Sequence, residues 1–177
     1  MMKRYTLLLG LILSCQTMAY NTSDTIQVHV TGQIITAVCE VALDNTVSLG
    51  QVARQDLSVP GGNSAPAPFV VKLFQCSPEL SKVTITFSGT PYTADPAYSQ
   101  AIYANELADG AQDVGLQILN MDGNSLINLA NGVDYTMPLD TETHSKMLYF
   151  TARMYTPHGT PTPGYFKSAV TLSFTYQ

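Results

Sequence analysis

Three histidines, three cysteines and thirteen Asp plus Glu are the side chains of this 177-residue chain that could carry acid–base, nucleophilic or metal chemistry. His29 falls on the polar side of an alternating run, His144 in a polar loop and His158 in a turn rich in Pro and Gly. None is spaced with Cys, Asp or Glu as a zinc site or a nucleophile–His–carboxylate relay requires. No nucleophile elbow, phosphate loop or carboxylate pair stands out. Asp109, Asp113, Asp122, Asp134 and Asp140 read as solvated loop acids without calcium-loop spacing. The histidines therefore read as surface residues, and neither an enzyme, a metal site nor a cofactor is expected. Cysteine is more informative. Cys15 lies in an apolar leader, which leaves Cys39 and Cys76. An even pair in an exported chain reads as a disulfide, with two buried thiols as the alternative. Closing a loop of that length in the unfolded chain is worth about 4 kcal/mol by the chain-entropy model.

Export is read from residues 1–19. Lys3 and Arg4 supply a positive start, residues 6–13 an apolar stretch too short to span a bilayer, and Thr17-Met18-Ala19 a small-residue cleavage site. Cleavage after Ala19 would start the mature chain at Tyr20. The competing fate is Ile12-Leu13-Ser14-Cys15, a passable lipoprotein box that would tether Cys15 to a membrane. Losing Lys3 and Arg4 leaves six of eight basic residues against thirteen acidic ones. A chain so acidic has no clustered Lys and Arg to hold nucleic acid or an anionic membrane surface. What remains is the length of one domain with a proper core.

The elements that must position these residues are short strands. Candidates are 26–36, 38–43, 47–49, 69–76, 83–88, 114–119, 125–129, 147–155 and 166–176, separated by Pro60-Gly61-Gly62, Asp95-Pro96, Asp109-Gly110, Asp122-Gly123, Asn131-Gly132 and the 157–164 run. The best hairpin joins 116–119 to 126–129 through Asp122-Gly123. Residues 63–68 read as a small-residue surface loop, and 98–107 is the one ambiguous helical stretch. Many short strands at regular spacing predict an all-β sandwich with Greek-key connections. Two strands share one design. Ile26, Val28, Val30, Gly32 and Ile34 alternate with polar residues near the start, and Phe166, Val170, Leu172, Phe174 and Tyr176 alternate with Lys167, Ala169, Thr171, Ser173 and Thr175 at the end. Each has one apolar and one wet face. A half-apolar strand at a chain terminus can leave its own domain and complete a neighbour's sheet.

With those residues in view, the chain resembles a pilin of the chaperone–usher class, the type 1 fimbrial subunit family. The resemblance rests on the alternating amino-terminal stretch with Gly32 in phase, Cys39-Glu40-Val41, Val47-Ser48-Leu49-Gly50, the stretch from Phe69 to Cys76, Phe87-Ser88-Gly89, the stretch from Val114 to Leu119, and Phe150 to Tyr155. The closing motif is the most specific: Gly164 is fourteenth from the carboxyl terminus and Tyr176 is penultimate. Such subunits are immunoglobulin-like sandwiches lacking their last strand. A periplasmic chaperone fills the groove until an outer-membrane usher lets the next subunit's amino-terminal extension replace it.

The resemblance implies three segments: a signal peptide at 1–19, a donor-strand extension at 20–36 and a pilin domain at 37–177. It makes Ile26, Val28, Val30, Gly32 and Ile34 the donor face. Gly164, Phe166, Val170, Leu172, Phe174 and Tyr176 then belong to the groove strand that faces chaperone or donor, with neighbouring pilin subunits as further partners. The implied place is a fimbrium at the cell surface, reached through the periplasm. Seven Met and ten Tyr, against the small-residue composition of major rod subunits, tilt toward a minor or adaptor subunit. A Cys15-anchored or periplasmic β-sandwich binding protein or adhesin is the alternative. Tip adhesins of the family, however, carry a separate lectin domain for which this chain has no room.

Overall fold

Period-two burial dominates the chain. In the strand Lys82–Gly89, Val83, Ile85 and Phe87 are fully buried, while Thr84, Thr86 and Ser88 point outward. The computed structural model describes residues 31, 38–43, 46–122 and 125–177; the amino-terminal segments 1–19 and 20–36, apart from Thr31, lie outside them. The strands are β1 (Glu40–Leu43), β2 (Ala67–Phe74), β3 (Lys82–Gly89), β4 (Tyr103–Ala104), β5 (Gly115–Asp122), β6 (Ser125–Asn128), β7 (Val133–Pro138), β8 (Lys146–Tyr155) and β9 (Val170–Tyr176). One sheet runs β1-β2-β8-β5-β4 with β6 also paired to β5; the other runs β7-β3-β9. Every ladder is antiparallel, and β2–β8, β5–β8 and β3–β9 join strands distant in sequence. The fold is the immunoglobulin-like sandwich expected.

Inward-facing side chains of both sheets form a shared core. Phe150 of β8 sits 5.3 Å from Phe69 of β2 and meets Phe87 of β3 edge-on at 5.6 Å, bridging the layers. Tyr103 is fully buried, and its hydroxyl donates to the Leu129 carbonyl at 2.8 Å, so burial leaves no orphan donor. On the outer face of β3 the polar side chains pair across strands: Thr84 with Thr136 at 2.8 Å, and Thr86 donating to Asp134 at 2.6 Å. Cys39 and Cys76 are disulfide-bonded, joining the chain just before β1 to the chain just after β2. The alternative of two thiols is set aside.

Several elements differ from the sequence reading, each for a local reason. Residues 47–49 are not a strand: the β1–β2 ladder stops at Leu43↔Val71, and a Ser48–Gly50 turn with φ +68° at Gly50 bends the chain away. Ala67 and Pro68, assigned to a surface loop, open β2 and pair with Ala152 and Thr151. The ambiguous 98–107 stretch follows a single 3-10 turn at Pro96–Tyr98, capped by Asp95, and contains the two-residue β4. β7 was not anticipated, although Val133, Tyr135 and Met137 alternate; it pairs with β3 from Phe87↔Val133 to Lys82↔Pro138. The predicted hairpin exists as β5–β6, with Asp122 opposite Ser125.

Because Phe150 joins both layers, Phe150→Ala should cost about 3–5 kcal/mol. Tyr149→Ala, at the exposed neighbouring position, should stay within about 0.5 kcal/mol. Denaturant unfolding of the purified variants checks the contrast.

Candidate functional site

The described residues leave the core uncovered on one flank. β1 is paired only to β2, and β9 only to β3, among the described residues. Register places Val41 opposite Leu73 and Leu43 opposite Val71, so all four face inward. Leu73 and Val71 are 1% and 0% exposed, yet Val41 and Leu43 remain 41% and 39% exposed. The same asymmetry holds across β3 and β9. Tyr176, Phe174 and Leu172 stand opposite Val83, Ile85 and Phe87, which are fully buried, whereas the three β9 residues are only partly covered.

Between these edges lies a cleft of about 570 Å³. One wall is the run from Thr46 to Gly50, with Leu43. The other is Phe166 to Val170, with Leu172. Phe69, Leu116, Ile118, Ala152 and Met154 form the floor. Its lining is mostly apolar, with Thr46, Ser48, Lys167 and Ser168 as its polar residues; Ser168 Oγ is buried and has no hydrogen-bond partner. The cleft is narrowed near the end of β9, where the Tyr176 hydroxyl reaches the Cys39 carbonyl at 3.4 Å; burial pushes this phenol's pKa up. Gln177 is zipped to Ser81 and Lys82 by three main-chain hydrogen bonds.

At the other end a second hollow of about 490 Å³ continues the first, sharing Gly50, Met154 and Phe166 with it. Leu57, Ala111, Val114 and the 161–165 run line it together with Gln51, Val52 and Arg54. Here the predicted strand 166–176 is shortened to Val170–Tyr176, because Asn105 and Glu106 take over the hydrogen bonds of the preceding residues. Asn105 Oδ1 accepts from Lys167 N at 3.0 Å, Glu106 Oε1 accepts from Ala169 N at 3.2 Å, and the Lys167 carbonyl accepts from Glu106 N at 2.8 Å. Gly164 lies against the main chain of residues 110–111: a Cβ there would come 2.6 Å from Ala111 N. That close approach is the physical reason for a glycine at this position.

Of the residues singled out in the sequence, Cys39 and Cys76 are bonded. Gly164 lines the second hollow, Phe166 both hollows, and Val170 and Leu172 the cleft, whereas Phe174 and Tyr176, farther along β9, line neither. Ile26, Val28, Val30, Gly32 and Ile34 lie outside the described residues. Sequence reasoning missed a polar cluster. Asp113 is not a solvated loop acid. Its Oδ2 accepts from Thr156 Oγ1, Thr160 N and Thr160 Oγ1 at 2.8–3.0 Å, and its Oδ1 meets His158 Nδ1 at 2.7 Å. His158 is in turn 3.0 Å from Asp95 through Nε2. No group of three or more His, Cys, Asp or Glu among the described residues could hold a metal ion.

A family described as fimbrial protein matches residues 28–177. The chain belongs to the fimbrial protein family. It is 30% identical over 154 residues to the type-1 fimbrial protein A chain of Escherichia coli K12, covering 85% of this chain and 82% of that one. In fold it is similar to the P pilus rod subunit PapA, with TM-score 0.61 and 17% identity over 80% of this chain and all of the other. It also resembles the CupB6 tip adhesin of Pseudomonas aeruginosa, with TM-score 0.62 and 23% identity, over 80% of this chain but 39% of that one. This fimbrial subunit therefore shares the sandwich of solved pilus proteins. Its relatives are structural proteins of a surface fimbrium.

Gly164→Ala should press a methyl group into the 110–111 main chain and destabilise the subunit by about 1–3 kcal/mol. At Gly132, where an added Cβ meets nothing within 4 Å, Ala should cost less, through the positive φ alone. Thermal unfolding midpoints of the two variants check the order.

Proposed function

We propose that this fimbrial subunit polymerises by accepting a neighbour's amino-terminal strand in its cleft and lending its own. The observation that carries the reading is the half-covered inward face of β1 and β9, set against fully buried register partners. The lent segment is 20–36, with Ile26, Val28, Val30 and Ile34 as its buried side chains. Burying four such side chains contributes roughly 6–12 kcal/mol gross, as an upper estimate. That rivals the stability of a whole domain.

Main-chain hydrogen bonds to β9 would add modestly and would cover a sheet edge that otherwise invites aggregation. Gly32 would pass the point where Phe166 separates the two hollows, with Ile34 entering the second. The incoming main chain also offers a partner to the orphan Ser168 hydroxyl. Before assembly a periplasmic chaperone would occupy the cleft, an outer-membrane usher would direct the exchange, and residues 1–19 would be removed on export. Ten Tyr and seven Met favour a minor or adaptor place in the fibre.

Two outcomes test this. Expressed in the periplasm without its chaperone, the chain should aggregate or be degraded, and a copy of residues 24–36 joined after Gln177 through a flexible linker should yield a stable monomer. A stable monomer without either aid contradicts the reading. Val30→Asp should leave chaperone binding intact yet exclude the subunit from fibres, as scored by co-purification and by fibre composition.

A further inference from the structure

His158 stands between two carboxylates contributed by different parts of the chain. Nδ1 is 2.7 Å from Asp113, just before β5, and Nε2 is 3.0 Å from Asp95, just before the Pro96–Tyr98 turn. A neutral imidazole carries one N–H and can donate to only one of them; its other nitrogen would present a lone pair to a carboxylate. Only the imidazolium satisfies both contacts. We propose that His158 is a proton-controlled latch that holds the 156–164 segment against the body of the sandwich and so sets the shape of the second hollow.

The connection to the hollow is covalent and short. Asp113, which His158 grips, also accepts from Thr156 Oγ1 and from Thr160 N. Gln112 beside it exchanges two hydrogen bonds with Thr162, Gln112 N to Thr162 Oγ1 at 2.8 Å and Thr162 N to Gln112 O at 3.2 Å. Arg54 Nε donates to the Pro161 carbonyl at 3.0 Å. Pro161 to Phe166 then form the wall of the hollow, and Val114, next to Asp113, forms part of the facing side. Releasing His158 removes the clamp at the start of that wall.

The groups facing the imidazole are Asp113 and Asp95, the ring of Tyr98 edge-on at 5.9 Å, and Tyr92, whose hydroxyl lies beside Asp113. Of the cations near this end, Arg153 is turned to Gln117 and Asn63, and Arg54 to the Pro161 carbonyl. The hydrogen bonds to Asp113 and then Asp95 raise the His158 pKa above its ordinary value of 6.5. Burial pushes Asp113 up, but the hydrogen bonds from Thr160, His158 and Thr156 outweigh it and leave its pKa lowered. Asp95 is lowered by the Ala97 N–H first and by His158 second. A raised histidine value stabilises fully below 6.5 and is lost as pH climbs through the folded value. Lowered carboxylate values stabilise above 3.8 and are lost as pH falls through theirs. The latch is thus closed between these limits and opens on the alkaline side.

The link to strand acceptance rests on the reading in the preceding subsection, so the test separates the two. In the mature subunit purified from the periplasm, with its chaperone where it has one, NMR titration of the histidines should show one resonance with a pKa above 6.5 that disappears in His158→Gln and falls toward the ordinary value in Asp95→Asn. Amide exchange at Thr160 and Thr162, corrected for intrinsic rate, should accelerate roughly two- to fivefold above that pKa, the range of an exposed ion pair. In His158→Gln it should be fast at every pH. Ordinary titration of His158, or a pH step in exchange that survives His158→Gln, overturns the latch. Uptake of a synthetic 24–36 peptide by the same sample should be slower at pH 5.5 than at pH 8.5 in the wild type alone. No uptake at any pH would count against strand acceptance, while the titration and exchange still decide the latch.

Discussion

A hydrophobic core that the described residues leave open along one flank is the constraint on which the rest of this structure depends. Val71, Leu73, Val83, Ile85 and Phe87 are sealed, yet the side chains that share their faces on β1 and β9 are not. Apolar surface left in water in this way costs free energy in proportion to its area. A sandwich with two edge strands beside such a cleft is an unfinished object, and its edges are templates for another chain. The surrounding features then fit one purpose. The disulfide fixes the ends of β1 and β2 beside the cleft. The hydrogen bonds of Asn105 and Glu106 hold residues 165–169 as a wall without using them up in a ladder. Tyr176 pins the far end.

Much of this was legible because it is local. The alternation in β3, β8 and β9 repeats every two residues, and the spacing of Gly164 and Tyr176 from the carboxyl terminus is a matter of counting. The 47–49 stretch misled because its composition suits a strand, whereas the ladder that would make it one stops at Leu43↔Val71. β7 was hidden by Pro138 and by the turn at Asn131-Gly132, although its apolar positions alternate correctly. The meaning of Gly164 was visible only as a motif. Its physical cause, a main-chain approach to Ala111, requires two segments more than fifty residues apart to be placed together.

The histidine cluster shows the same limit more sharply. His158 lies 45 residues from Asp113 and 63 from Asp95. No spacing rule joins them, and a histidine in a turn between prolines reads as solvated. In three dimensions the loops at this end of the sandwich converge, and the charge pattern becomes a clamp on the segment that enters β9. The fimbrial subunit thus combines a nonspecific driving force, apolar burial along a cleft, with polar contacts at the cleft's two ends that set its geometry.

The most direct measurement is a cryo-electron microscopy map of the assembled fibre at side-chain resolution. The account predicts continuous density for residues 26–34 of the neighbouring subunit lying between β1 and β9, with Gly32 passing Phe166. Density showing those residues folded back into the cleft of their own chain, or a cleft left empty in the fibre, would contradict it.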